Sequence, residues 1–413
     1  MKVSVIVIGD ELLIGQVTDT NSGWIARHLN PYGWNVKSVK VVADNESEII
    51  RAIGQAFEQT DVVLTTGGLG PTKDDITKNT LCRYFGGELV LDAPTLKNVE
   101  EVIAKRHLSM NPLNESQAMI PSSCRVIQNQ VGTAPIMWFE KDGKVLVAMP
   151  GVPFETETMM EREVIPQLLN RFPKDEYIEH RTFIVVGYAE SALAIKLDKF
   201  EQQLPHNIHL AYLPKPGIVR LRLTGTSKDA IQLSKNMCEF TDKLDSILGS
   251  AIVCHEDKTI SEILGNKLKD GKLSLATAES CTGGNIAHSI TMIAGSSDYY
   301  KGSVVAYSNE VKQNVLKVSE AALIEHGAVS EPVVIQMVQG VCDLLGSDCA
   351  IATSGVAGPG GGTEMKPVGT VWIAVKYKDR IESRCMHFPG VRERVIDRAT
   401  IEAQLMLLKI LNE

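Results

Sequence analysis

What the chain lacks narrows its class first. Its 413 residues contain no apolar run of about 18, so no membrane-spanning helix is expected. The opening apolar stretch, residues 2–8, is too brief for a signal sequence and runs straight into Gly9-Asp10-Glu11. None of the eight cysteines (Cys82, Cys124, Cys238, Cys254, Cys281, Cys342, Cys349 and Cys385) forms a C-x-x-C pair. That spacing argues against a zinc site, and the thiols read as small hydrophobes of a reduced, cytoplasmic protein. Basic residues are not in excess: 42 Lys and Arg stand against 50 Asp and Glu, for a net charge of −8. A dedicated nucleic-acid binder is disfavoured, although local basic pockets for small phosphates remain possible. Internal repeats and low-complexity segments are missing too.

What is present reads as globular, with 44% hydrophobic and 22% charged residues. The length exceeds what one core supports, so two or three domains are expected. Over residues 1–170 short apolar strands (2–8, 35–42, 62–65 and 145–149) alternate with helical stretches (24–30 and 46–58). This rhythm predicts a mainly parallel sheet covered by helices, with ligands at the carboxyl ends of its strands. The segment Arg171-Phe172-Pro173-Lys174-Asp175-Glu176-Tyr177 marks a boundary. A small α+β unit follows over 177–252, with strands near 182–186 and 219–224 and helices near 189–200 and 230–248. Residues 171–252 hold eleven Lys and Arg against ten Asp and Glu. A third α/β domain, 253–413, opens with an amphipathic helix near 259–269. Strands are expected near 273–276, 303–307, 349–353 and 370–375, and a long helix near 391–411.

Three clusters in the last domain carry chemistry. In Ala278-Glu279-Ser280-Cys281-Thr282-Gly283-Gly284 a serine follows a strand and precedes a helix that opens with two glycines. A hydroxyl there is exposed at the strand end, and the backbone N–H groups of Thr282, Gly283 and Gly284 can hold an oxyanion. The same residues equally suit an N-cap and a tight turn. Cys281 is the rival nucleophile. A serine nucleophile needs a base, and no histidine of this domain lies in a Gly-rich or strand-end cluster. Lys312 does, in Val305-Ala306-Tyr307-Ser308-Asn309-Glu310-Val311-Lys312, within the first turn of a helix capped by Ser308. Partial burial and the positive helix end favour a neutral amine, with Tyr307 close by. A plain solvated lysine is the competing reading. The third cluster, Ser354-Gly355-Val356-Ala357-Gly358-Pro359-Gly360-Gly361-Gly362, suits a phosphate cradle or a surface loop. Arg392 and Arg394 after Phe388-Pro389-Gly390 can pair with a phosphate or simply face water.

Two loops of the first domain stand out. One is Gly9-Asp10-Glu11 with Asp19-Thr20-Asn21-Ser22. The other runs Thr65-Thr66-Gly67-Gly68-Leu69-Gly70-Pro71-Thr72-Lys73-Asp74-Asp75-Ile76-Thr77. Thr66, Gly67, Gly68 and Gly70 suit a pyrophosphate, and Asp10 and Asp75 suit a hard divalent cation. Turn-building is the plainer alternative for each loop.

These motifs resemble the CinA family. Over about 253–413 the resemblance rests on A-E-S-C-T-G-G, A-G-S-S, V-A-Y-S-N-E-V-K, G-A-V-S-E-P-V-V, S-G-V-A-G-P and K-P-V-G-T-V-W. It implies a nicotinamide-nucleotide amidase that needs no cofactor, with Ser280 as nucleophile, Lys312 as base, Tyr307 assisting and Arg392 on the substrate. Val391 stands where an acidic residue is common in the family. Residues 1–170, including P-G-V-P-F-E, resemble the MoaB/MogA fold, which implies a three-layer α/β domain, and more closely the N-terminal domain of CinA proteins, which implies metal-dependent ADP-ribose pyrophosphatase activity. The middle unit resembles the family's KH-like domain. Without a G-x-x-G loop it reads as a spacer or dimer element rather than a nucleic-acid reader. A homodimer acting on nicotinamide mononucleotide and ADP-ribose is the implied whole. Retention of only one activity, molybdopterin handling, or a non-enzymatic competence factor are the alternatives.

Overall fold

The computed structural model describes residues 1–72, 74–173 and 176–413. Lys73 of the Gly-rich loop, and Lys174 and Asp175 of the expected boundary, lie outside the described residues. The chain divides into two compact units, residues 1–180 with 225–236, and 181–224 with 237–413.

The N-terminal sheet has six strands in the order Asn35–Val42, Lys2–Ile8, Val62–Thr66, Lys144–Met149, Ile136–Lys141 and Arg125–Ile127. The first four run parallel and the last two antiparallel. The inner strands Lys2–Ile8, Val62–Thr66 and Lys144–Met149 are buried on both faces, which is why they read as continuous apolar runs. Val3, Val5 and Val7 join one core with helix Asn21–Leu29, while Ile6 and Ile8 join the other with helix Glu46–Gln59. Asn45 caps the latter helix by accepting from Glu48 N–H at 3.2 Å.

The middle stretch forms a four-stranded sheet ordered Ile208–Lys215, Ile218–Ser227, Tyr177–Val186 and Ile252–Cys254, with helices Glu190–Glu201 and Ala230–Leu248. The C-terminal sheet is ordered Tyr300–Val305, Leu275–Glu279, Cys349–Gly355, Thr370–Tyr377 and Arg380–His387. Its first three strands are parallel, and the remaining pairings are antiparallel.

Side-chain alternation splits this domain into two cores. Leu275, Ile351, Ile373 and Val375 pack with helices Ile260–Gly271 and Arg392–Asn412. Ala276, Ala278, Ala350, Ala352 and Ala374 face helix Glu331–Leu345 through Val333, Val334, Met337, Val338 and Val341. Alanines on the sheet let that helix come close. Gly340 of the same helix lets the segment after Asn309–Asn314 close in, since a Cβ there would fall 1.9 Å from the Leu316 carbonyl oxygen. Thr259 and Glu262 form the capping box that starts the first of these helices. Among the described residues no helix is long and apolar enough to cross a membrane.

Candidate functional site

Strand Leu275–Glu279 delivers Ser280 to the end of the C-terminal sheet, where its N–H donates to Thr353 O at 3.0 Å. Lys312 arrives from helix Asn309–Asn314, whose cap is Ser308, accepting from Val311 N–H at 3.3 Å. The lysine is the fourth residue of this helix, within its first turn, and only 1% of it is exposed. Its Nζ lies 3.1 Å from Ser280 Oγ and donates to Ala306 O at 2.7 Å. Burial holds the amine below its ordinary range, and no carboxylate lines the cavity around it among the described residues. The six-residue helix contributes little, so desolvation does what the sequence assigned partly to a helix end.

That cavity has a volume of about 200 Å³. Of the residues singled out beforehand it gathers Ser280, Lys312, Tyr307, Ser354, Gly355 and Arg392. Ser354 is fixed by donating its hydroxyl to Ala328 O at 2.6 Å. Arg392 spans the mouth, donating from Nη1 to Gly358 O at 2.7 Å and from Nη2 to the Tyr307 hydroxyl at 2.9 Å. Cys281, the rival nucleophile, also lines the cavity, and burial pushes its thiol up to about 12, which favours the protonated form near neutral pH.

Four expected contacts fall elsewhere. Thr282 is buried and pairs its hydroxyl with that of Thr353 at 2.7 Å. Gly283, Gly284 and Gly358 do not line the cavity. The glycine N–H groups are already used: Gly283 donates to Ser280 O, and Gly284 to Glu279 Oε2 at 3.0 Å. Glu279 also accepts from Ile286 at 3.1 Å and Ala287 at 2.8 Å. The fully buried carboxylate therefore takes the helix start that was expected to hold an oxyanion. No backbone carbonyl among the described residues pairs with the N–H of Cys281, which does line the cavity. Asn309, Ala328, Val329 and Ala357 complete the wall and were not singled out, though each lies inside a quoted motif. Replacing Glu279 by alanine orphans three backbone donors, one buried and two part-buried, and is expected to cost about 3 kcal/mol, read by chemical denaturation.

A second cavity, of about 460 Å³, opens at the carboxyl ends of the N-terminal strands. Thr66, Gly67, Gly68, Gly70 and Asp75 line it, as expected. Gly67 has φ +104°, and a Cβ there would sit 2.0 Å from Ile8 O, so the turn requires glycine. Its N–H donates to Met149 O at 3.1 Å, and that of Gly70 to Asp75 Oδ1 at 2.8 Å. The phosphate-facing donors are thus fewer than the glycine count suggests. Asp10 does not line the cavity. Its carboxylate accepts from Asp44 N–H at 3.2 Å, while Asp44 accepts from Asp10 N–H at 3.1 Å. Asp44 takes the position in the wall instead, its proton affinity raised by burial and by its neighbours Asp10, Glu11 and Asp75. Glu11, Asp19, Asp44, Asp74, Asp75 and Glu155 line the cavity with no Lys or Arg among the described residues. Such a carboxylate-rich wall fits a hard cation. No group of three or more ligands is assembled among the described residues, so the set suits an ion held by one or two carboxylates.

Three family models match: "Probable molybdopterin binding domain" over 4–170, "Damage-inducible protein CinA KH domain" over 180–253 and "CinA C-terminal domain" over 257–411. A CinA-like protein of Flavobacterium psychrophilum is 42% identical over 413 residues, spanning 99% of this chain and 98% of the relative. One from Cytophaga hutchinsonii is 42% identical over 408 residues, spanning 98% and 96%. A CinA superfamily crystal structure from Klebsiella pneumoniae, 40% identical, covers 38% of this chain and 99% of its own, with a TM-score of 0.36. The chain is a multi-domain α/β protein with a MoaB-like N-terminal domain and a KH-like middle domain, and it belongs to the CinA family.

Proposed function

We propose that the C-terminal site hydrolyses the amide of nicotinamide mononucleotide to nicotinate mononucleotide and ammonia. The observation that carries this reading is the 3.1 Å approach of a buried lysine amine, away from any carboxylate, to Ser280 Oγ. In its neutral form Lys312 accepts the serine proton as Oγ bonds to the amide carbon. The Cys281 N–H, which no backbone carbonyl takes among the described residues, is the donor this reading assigns to the developing oxyanion. When the C–N bond breaks, ammonia leaves with the proton from Lys312. Water then cleaves the acyl ester by the reverse proton path, with no cofactor. The cavity is small against the roughly 300–1,000 Å³ usual for ligand pockets, so it takes the amide-bearing ring. Arg392 and Tyr307 at the mouth are left for the ribose phosphate. Ammonia release from nicotinamide mononucleotide by the full chain tests the assignment.

A second activity, hydrolysis of ADP-ribose to AMP and ribose 5-phosphate, is favoured for the N-terminal cavity by its carboxylate wall. A pyrophosphate enters such a wall only with a cation, and Asp44 and Asp75 are the residues that would hold one. The cation neutralises charge at phosphorus. Asp75→Asn is expected to lower AMP formation about 100-fold and leave ammonia release unchanged. Chelation of divalent ions is expected to act on the same reaction alone. An equal fall in both activities would point instead to misfolding. A competence or DNA-processing role predicts salt-dependent DNA binding, which the net charge of −8 does not favour.

A further inference from the structure

We infer that Glu155 is the general base of the N-terminal cavity, taking the proton from the water that attacks phosphorus. The inference rests on the pyrophosphate reading and adds a residue to it. Glu155 belongs to the P-G-V-P-F-E segment and lies in the first turn of helix Pro153–Met159. That segment is fastened beside the Gly-rich loop: Met149 O accepts from Gly67 N–H, and a Cβ on Gly151 would touch Gly67 Cα at 3.4 Å.

The carboxylate is hydrogen-bonded through one oxygen only among the described residues. Glu155 is 9% exposed, and its Oε2 accepts from Asn129 Nδ2 at 2.8 Å. Asn129 is fully buried and cannot turn, because the same nitrogen donates to Ala134 O at 2.9 Å and its Oδ1 accepts from Val131 N–H at 3.2 Å. The backbone at Gly132 lies directly on the carboxylate, where a Cβ would come within 1.9 Å of Oε2 and 2.4 Å of Oε1. Oε1 has no hydrogen-bond partner among the described residues, and the residue lines the cavity.

The other cavity carboxylates are engaged or exposed. Asp19 caps Ser22, Asp75 accepts from Gly70 and Thr72, Asp44 is tied to Asp10, and Glu11 and Asp74 face solvent. Burial raises the proton affinity of Glu155, while the Asn129 bond and the charge of Arg106 pull it back. A carboxylate so balanced is a better base near neutral pH than an ordinary glutamate. In the step itself a water O–H bond breaks, its proton passes to Oε1, and the oxygen bonds to phosphorus. The bridging P–O bond breaks with its electron pair leaving on the departing phosphate monoester, and Oε1 returns its proton to solvent.

The test uses the full chain with ADP-ribose and Mg²⁺, reading AMP. Glu155→Gln is expected to lower kcat about 100-fold or more with KM within about threefold. The wild-type acid limb of kcat is expected above the usual glutamate range and to vanish in the variant. Arg106→Glu, an exposed change, is expected to move that limb to higher pH, and this decides the matter should Glu155→Gln fail to fold. Equal AMP formation by wild type and Glu155→Gln, or an unmoved limb in Arg106→Glu, overturns the assignment alone. No AMP from the wild type with any divalent cation overturns the pyrophosphate reading and this assignment with it.

Discussion

Replacing Ser280 by alanine is expected to end ammonia release from nicotinamide mononucleotide, a fall of about 10³-fold or more. Ser280 Oγ makes one side-chain contact, to Lys312, and the amine keeps Ala306 O when the hydroxyl goes. Stability should therefore change by no more than about 1 kcal/mol. Cys281→Ala supplies the contrast. A thiol pushed up to about 12 contributes no thiolate near neutral pH, so that variant should keep its activity. Steady-state ammonia assays and denaturation curves on the three proteins decide. Activity surviving in Ser280→Ala and lost in Cys281→Ala would give the nucleophile to the thiol.

Lys312→Met is expected to be equally inactive but no less stable than the wild type. Methionine fills most of the buried volume without an amine to desolvate. The sign follows from proton binding. The folded amine has its pKa below the ordinary 10.5, so between the two values the unfolded chain binds more protons. Wild-type stability thus rises with pH through that window, and the burial penalty is fully present below it. The advantage of the methionine variant should be largest near pH 7 and shrink toward pH 10.5. Wild-type activity should rise through the same lowered pKa as the amine becomes neutral. A rate that stays flat from pH 6 to 10 would refute the neutral-lysine mechanism.

Much of the scaffold was legible because burial on both sheet faces leaves unbroken apolar runs, as in Lys2–Ile8. Strand Arg380–His387 was not: it is only partly buried, and Arg-Ile-Glu-Ser-Arg-Cys-Met-His carries little apolar contrast. Ile136–Lys141 has four apolar residues in a row, too few to distinguish a strand from a buried turn of helix. At the sites, residue type announced Ser280 and Lys312, since few side chains can serve as nucleophile and base. Ownership of backbone hydrogens was not announced. Glu279 reads as one letter of a motif, yet its carboxylate decides that Gly284 meets a protein group rather than a substrate. Asp10 and Asp44 exchange N–H bonds across 34 residues of sequence, so no local pattern could say which of them faces the cavity.

The carboxylate-lined N-terminal cavity also has a kinetic side. Under the proposed pyrophosphatase reading, a bare nucleotide anion climbs an electrostatic hill to reach it, and monovalent salt shortens the range of that hill. Added salt should therefore speed the capture of the metal-free anion, opposite to the usual slowing of steered encounters. The neutralised cation complex should be nearly indifferent. The same field acts after cleavage, when each phosphate monoester that sheds its cation is repelled outward. On this reading, the wall that favours the neutralised substrate also hastens departure of the products.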